Sequence, residues 1–232
     1  MKPVFRIDFV SDVSCPWCAI GLGALETSLD RLRDELGASI HFQPFELNPR
    51  MGPDGQDIGE HIAQKYGSSP QQQAATREMI RQRGADVGFV FRPEGRGRIY
   101  NTFDAHRLLH WAHEEGRAEA GDGEPGQQRR LKKALFAAYF TEGRSPASHE
   151  VLVEAAEAAG LDAGRAREVL ASDEFADDVR EREAFWRERE IHAVPAIVID
   201  DTHLVSGGQP TEVFERILRK LAERRRETGP GA

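Results

Sequence analysis

A chain of 232 residues, 39% hydrophobic and 30% charged, carries enough apolar side chains to bury a core without a metal or disulfide staple. Thirty-nine acidic against 31 basic residues leave a formal net charge of -8, which argues against a general nucleic-acid binder, since phosphate affinity comes mostly from clustered Lys and Arg. No stretch approaches the roughly 18 uninterrupted apolar residues of a membrane-spanning helix, so neither nucleic acid nor membrane is an expected partner.

Val4 to Val10 is β-branched, aromatic and apolar. Arg6 and Asp8 interrupt it, which predicts a strand rather than the unbroken core of a secretory signal, and the protein is expected to stay in the cytoplasm. Ser11 to Ser14 then leads into Cys15-Pro16-Trp17-Cys18. Pro16 suits the first helical position, where its missing N–H costs nothing. Leu22, Leu25, Leu29, Leu32 and Leu36 recur at three- and four-residue steps, predicting a helix that ends just before Gly37. Ser39 to Pro44 alternates Ile40 and Phe42 with polar neighbours and reads as a second strand.

From about Gly52 the pattern turns helical. Gly59 to Gly67, Pro70 to Gly84, Asn101 to Gly116, Gln127 to Gly143, His149 to Gly160 and Ala163 to about Ile191 are predicted helices, separated by Gly, Pro and Asp. Gly121 to Gly126 is read as an exposed loop among them. Strand character returns at Ala196 to Asp200 and His203 to Ser206, a plausible hairpin, and Gly207-Gly208-Gln209-Pro210 opens a last helix. Near its end the basic run Arg224 to Arg226 is read as a solvated helix terminus. The order is strand, helix, strand, long helical insert, strand, strand, helix. An α/β domain formed by residues 1–51 and 192–232 is therefore expected to be interrupted by a helical lobe, residues 52–191.

The two cysteines are three positions apart at a helix start. A structural zinc site would want a second Cys/His pair, and none is present, so redox chemistry is the leading reading and no metal is expected. Cys15 lies at the exposed end beside unpaired N–H groups, where the helix dipole favours the thiolate; Cys18 lies one turn further in. This makes Cys15 the nucleophile and Cys18 the resolving thiol, against the bland reading of two ordinary buried cysteines.

Cys-Pro-Trp-Cys after a strand, Ala193-Val194-Pro195 before another, and the helical insert together resemble the DsbA-like branch of the thioredoxin superfamily, and within it the cytoplasmic FrnE-type proteins. Pro44 to Pro49, Asn101 to Arg107 and Val205 to Gln209 extend the likeness over nearly the whole chain. The resemblance implies a thioredoxin fold with a large all-helical insertion between the second and third strands. It also implies a cis Pro195 beside the cysteines, with the backbone at Val194 pairing with substrate; unaided, Pro195 reads as a trans proline opening a strand. Asn101, His106 and Arg107 become candidates for the substrate groove. Gly207, Gly208 and Gln209 become a candidate glutathione corner, against a plain turn. Pro16 and Trp17 are read as substrate contacts, Trp17 also as a packing residue against the insert. His106, His110 and His113 share a helix face, which suggests zinc less than a packed helix with a polar rim.

The activity implied is thiol-disulfide exchange on protein or small-molecule disulfides and thiols, with no required cofactor and with glutathione as a candidate co-substrate. The competing reading is a glutathione-dependent isomerase or transferase, like 2-hydroxychromene-2-carboxylate isomerase or kappa-class transferases. Those usually carry Ser where this chain has Cys15.

Overall fold

The computed structural model of the chain describes residues 2–120 and 126–228. In order, these form β1 (Val4–Ser11), α1 (Pro16–Arg31), β2 (Gly37–Pro44), β3 (Gln56–Asp57), α2 (Ile58–Tyr66), α3 (Pro70–Asp86), β4 (Arg98–Ile99), α4 (Phe103–Ala120) and α5 (Gly126–Phe136). A π-helical turn, Ala137–Thr141, then leads to α6 (His149–Ala158), α7 (Ala163–Ala171), α8 (Ala176–Glu188), β5 (Ala196–Ile199), β6 (His203–Ser206) and α9 (Thr211–Thr228).

The central sheet runs β2-β1-β5-β6. β1 and β2 are parallel, while β5 lies antiparallel to both β1 and β6. Two-residue periodicity sorts the side chains. Phe5, Ile7 and Phe9 join Ile40, Phe42, Ile197 and Ile199 on one face, against Leu22 and Leu25 of α1 and Phe214 and Leu218 of α9. Val10, Ala196 and Val198 face the other way, toward Phe45, Trp186 of α8 and Ile191. Each such large side chain, moved fully out of water, contributes about 1.5–3 kcal/mol. The helical insertion has a core of its own, where Leu108, Leu131, Leu135, Leu152 and Val169 meet.

The insertion also closes one edge of the sheet. The Gln128 side chain accepts from the Phe42 N–H at 3.0 Å and donates to the Phe42 carbonyl at 3.0 Å, a side-chain amide standing where a neighbouring strand's peptide would pair. A second joint lies at Glu46, whose N–H donates to buried Glu183 at 3.0 Å and whose carboxylate pairs with Arg180. Burial, with Glu183 alongside, pushes Glu46 up despite that arginine.

Three sequence expectations shift. α1 ends at Arg31, because Leu32 leaves the helix and its carbonyl takes the N–H groups of Glu35 and Leu36 in a turn; Leu32 and Leu36 stay buried, and Gly37 opens β2. The helix expected from Ala163 to Ile191 is two, because Ser172 to Phe175 breaks it: the Ser172 hydroxyl accepts from the Glu174 N–H and Phe175 adopts φ 61°. The insertion also holds the β3/β4 ladder, pairing Gln56 with Ile99 and Asp57 with Arg98, too short for a periodicity signal. The loop expected at Gly121 to Gly126 lies, for residues 121–125, outside the described residues.

Candidate active site

Where β1 ends, the Asp12 carboxylate organises the chain. Oδ1 accepts from the Ser14 N–H at 3.0 Å, Oδ2 from the Leu47 N–H at 2.7 Å, and the Asp12 carbonyl accepts from the Cys15 N–H at 3.2 Å. This turn sets Cys15 at the N-cap of α1 with φ -93° and ψ 113°, followed by Pro16 in the first turn. The Cys15 side chain does not cap the helix, so its sulfur stands by the positive end of the dipole. The thiol donates to the Val194 carbonyl at 3.6 Å, and the Val194–Pro195 peptide is cis. The structure thus joins Cys15, Cys18, Val194 and Pro195 across the sheet. It differs from expectation at Cys15, which is only 4% exposed; Cys18 is fully buried. Both are free thiols.

The two sulfurs differ in charge preference. A hydrogen bond from Cys18 holds the Cys15 thiol below its ordinary range against the cost of burial; the Cys18 backbone and the Arg96 guanidinium help, and Asp12 opposes. Burial, then the Cys15 sulfur, pushes Cys18 well above. Arg96 is placed by donating to the Ser14 carbonyl at 2.9 Å. Burial would raise Asp12, but His106, with Nε2 at 3.8 Å, and the N–H groups of Leu47 and Ser14 bring it below the usual carboxylate range on balance. One low and one high thiol on adjacent turns is an arrangement able to attack a disulfide and then close on itself.

Trp17 is half-buried and packs against the sheet core. The loop after β6 presses on it: a Cβ on Gly208 would lie 2.8 Å from the Trp17 carbonyl oxygen, and one on Gly21 would lie 3.2 Å from Pro195 Cγ. Gly207, at φ 80°, donates its N–H to the Pro195 carbonyl at 2.8 Å. Gln209 spends its backbone N–H on the Gly207 carbonyl and its side-chain amide on the Ser206 carbonyl. The corner is a tight turn clasping α1 and Pro195.

The candidates from the insertion divide. His106 reaches the site through Asp12. Asn101 accepts from the Phe103 N–H at 2.9 Å and serves the start of α4. Buried Arg107 bonds Asp104 and the carbonyls of Val169, Ser172 and Glu174, bracing the break between α7 and α8. His110 meets Phe175 and His113 meets His41, so the three histidines have separate partners. No group of metal ligands occurs among the described residues.

Three residues were not singled out by sequence. Asp12 lies in the stretch before the cysteines, and Arg96 in a loop between Gly95 and Gly97. Lys132 is fully buried on α5 among Gln128, Leu131 and Leu135; a charged residue on the apolar stripe was the available signal. A cleft of about 590 Å³ opens beside α1, with Pro16, Ile62, Arg77, Ile80, Phe91 and Arg96 on its walls. No helix among the described residues is long and apolar enough to cross a membrane.

The family model of the DSBA-like thioredoxin domain matches residues 6–219. A probable DsbA oxidoreductase from Streptomyces coelicolor superposes with a TM-score of 0.85 at 34% identity, over 98% of this chain and 93% of that one. The uncharacterized protein YwbO of Bacillus subtilis is 24% identical over 214 residues, 92% of this chain and 95% of its own. A 2-hydroxychromene-2-carboxylate isomerase shares the fold at 15% identity and a TM-score of 0.66, over 97% of this chain and all of that one.

Proposed function

The chain belongs to the DSBA-like thioredoxin-domain family, and from that premise we propose that Cys15 and Cys18 form a redox pair that exchanges with protein or small-molecule disulfides. One observation carries the reading: two free thiols on adjacent helical turns, the outer favoured as thiolate and the inner as thiol, beside the Val194 carbonyl and a cis proline. The Cys15 thiolate attacks a substrate sulfur and releases the other half as thiolate. Cys18 then attacks the mixed disulfide, closing the Cys15–Cys18 bond and freeing the second substrate thiol. Run backward, the oxidised pair passes its disulfide to a substrate dithiol.

Substrate lies in the cleft over Pro16 and Arg96, with its reacting sulfur at Cys15 beside the backbone of Val194. The cleft suits a peptide or a tripeptide thiol such as glutathione better than the Gly207 to Gln209 corner does, because the N–H groups of Gly207 and Gln209 are already taken. His106 supports the site through Asp12, while Asn101 and Arg107 act inside the insertion, at the start of α4 and at the break between α7 and α8. One CxxC pair of free thiols with no other cysteine suits a reducing compartment, the cytoplasm.

The deciding experiment equilibrates the pair in glutathione redox buffers and follows Trp17 fluorescence. A reversible two-electron transition, lost in Cys15→Ser, is expected. A potential near about -270 mV marks a reductase and one near about -120 mV a disulfide donor. If no disulfide forms across that range, the redox reading falls, and a glutathione-dependent isomerisation surviving in Cys15→Ser would take its place.

A further inference from the structure

A thiol as deeply buried as Cys18 must lose its proton before it can attack, and bulk solvent does not reach it to take that proton. We propose that Lys132, projecting from the helical insertion into the core behind the cysteines, takes the proton from Cys18 when the mixed disulfide is resolved. The inference rests on the redox-pair reading above. Lys132 is fully buried, and its ammonium nitrogen has no hydrogen-bond partner among the described residues. It stands 5.0 Å from the ring centre of Phe136, one turn further along α5, and Phe136 belongs to the same core cluster as Cys15 and Cys18. A buried, unpaired ammonium is among the costliest groups a core can hold, and a leucine or methionine would fill the space without that cost.

The charges around it explain its use. Cys18 acts on Lys132 most strongly, then Asp12, then Cys15, and Lys132 in return favours the Cys18 thiolate. Asp12 carries His106 at 3.8 Å, and Tyr139, two turns along from Lys132, feels both Arg96 and Asp12. Burial brings the amine down to about 8, so about a tenth of it is neutral at pH 7 and able to accept a proton. Because Nζ makes no hydrogen bond to the Cys18 sulfur in this state, the transfer goes through rotation of the flexible lysine stem or one intervening water.

In the step itself the Cys18 S–H bond breaks and its proton passes to the neutral Nζ. The sulfur's electron pair forms the bond to Cys15, and the bond between Cys15 and the substrate sulfur breaks. That sulfur leaves with the electron pair as a thiolate. Over both steps the substrate disulfide gains two electrons and the Cys15/Cys18 dithiol loses them.

The test uses 5,5'-dithiobis(2-nitrobenzoate) as probe, mixed in stopped flow with an excess of reduced protein. Its coloured thiolate is released once when the mixed disulfide forms and again when Cys18 resolves it. In Lys132→Met and Lys132→Gln the first phase should stay within about twofold, while the second slows by about 100-fold and loses an inflection near pH 8 that the unaltered protein shows. A folded variant whose second phase keeps the original rate and pH profile overturns the proposal. Should both variants fail to fold, the unaltered protein decides alone: a second phase with no inflection between about pH 6 and 9 also overturns it. If the unaltered protein releases only one thiolate, the redox-pair reading itself is lost and this inference with it.

Discussion

Replacing Gly208 by alanine would set a methyl group 2.8 Å from the Trp17 carbonyl oxygen and 3.5 Å from the Gly21 nitrogen, both backbone atoms of α1 that cannot swing aside. Gly208 is not in the left-handed region, so the cost is steric alone. Its neighbour Gly207 presents the opposite case, with φ 80° but nothing nearer to an added Cβ than Gln209 Nε2 at 3.7 Å. The pair of single substitutions therefore separates two costs. Gly207→Ala should lose about 1–2 kcal/mol through the left-handed backbone. Gly208→Ala should lose about 1–3 kcal/mol through overpacking. At about 2–4 °C per kcal/mol for a chain of this size, melting points should fall by about 2–8 °C and 2–12 °C respectively. The functional effects should diverge further. Relief of the Gly208 clash has to move the peptide between the two cysteines or the loop holding Pro195. Disulfide exchange per folded molecule should then drop by tenfold or more in order of magnitude for Gly208→Ala, and stay within about twofold for Gly207→Ala. Melting followed by circular dichroism, with exchange rates measured well below the transition, gives both numbers. Equal exchange defects in the two variants, or a Gly208→Ala protein as stable and as fast as the original, would refute the claim that this contact sets the site.

Three further expectations concern charge. Removing the Cys18 thiol in Cys18→Ala takes away the hydrogen bond that most favours the Cys15 thiolate, so thiolate absorbance at 240 nm should titrate at higher pH and alkylation at neutral pH should slow; an unchanged titration would contradict the assigned cause. Arg96→Gln should move Cys15 the same way by less, since the field of Arg96 on Cys15 is weaker than the Cys18 hydrogen bond, and that shift should shrink as salt rises; a salt-independent shift would point to displaced backbone instead. The sign for stability follows from Cys18. Its folded thiol titrates above its unfolded value, so its contribution is intact below the unfolded pKa and lost as pH rises through the folded one. Above about pH 9 the urea midpoint of the reduced protein should fall relative to Cys18→Ala, and parallel curves would exclude that linkage.

What could be read from the chain was what is local. The run from Ser11 to Cys18 holds its own turn, cap and proline, and the alternation in β1, β2 and β5 reports faces that are each buried against one partner layer. The remainder depends on atoms far away in sequence. Cys15 looked exposed because nothing near it shows that the Val194 carbonyl, 179 positions later, covers its sulfur. Arg107 became a groove candidate through the resemblance alone; its acceptors are carbonyls released where α7 stops, and that stop is itself a local choice by Ser172. Lys132 was not singled out, although it interrupts the apolar stripe of α5 formed by Leu131, Leu135 and Phe136.

The pairing of Phe9 with Ile197 has a further meaning during synthesis. At roughly 5–20 residues per second, a ribosome that has just made β1 needs on the order of ten to forty seconds to deliver its antiparallel partner. Throughout that interval β1 has one open edge, and Cys15 lacks the carbonyl that later covers it. The emerging chain thus carries a bare thiol on an unfinished sheet, and Gln128, arriving midway to seal the flank of β2, leaves only the β1 side to guard. Nascent-chain thiol trapping should find Cys15 open to reagents until β5 and β6 clear the exit tunnel, and shielded once they have docked.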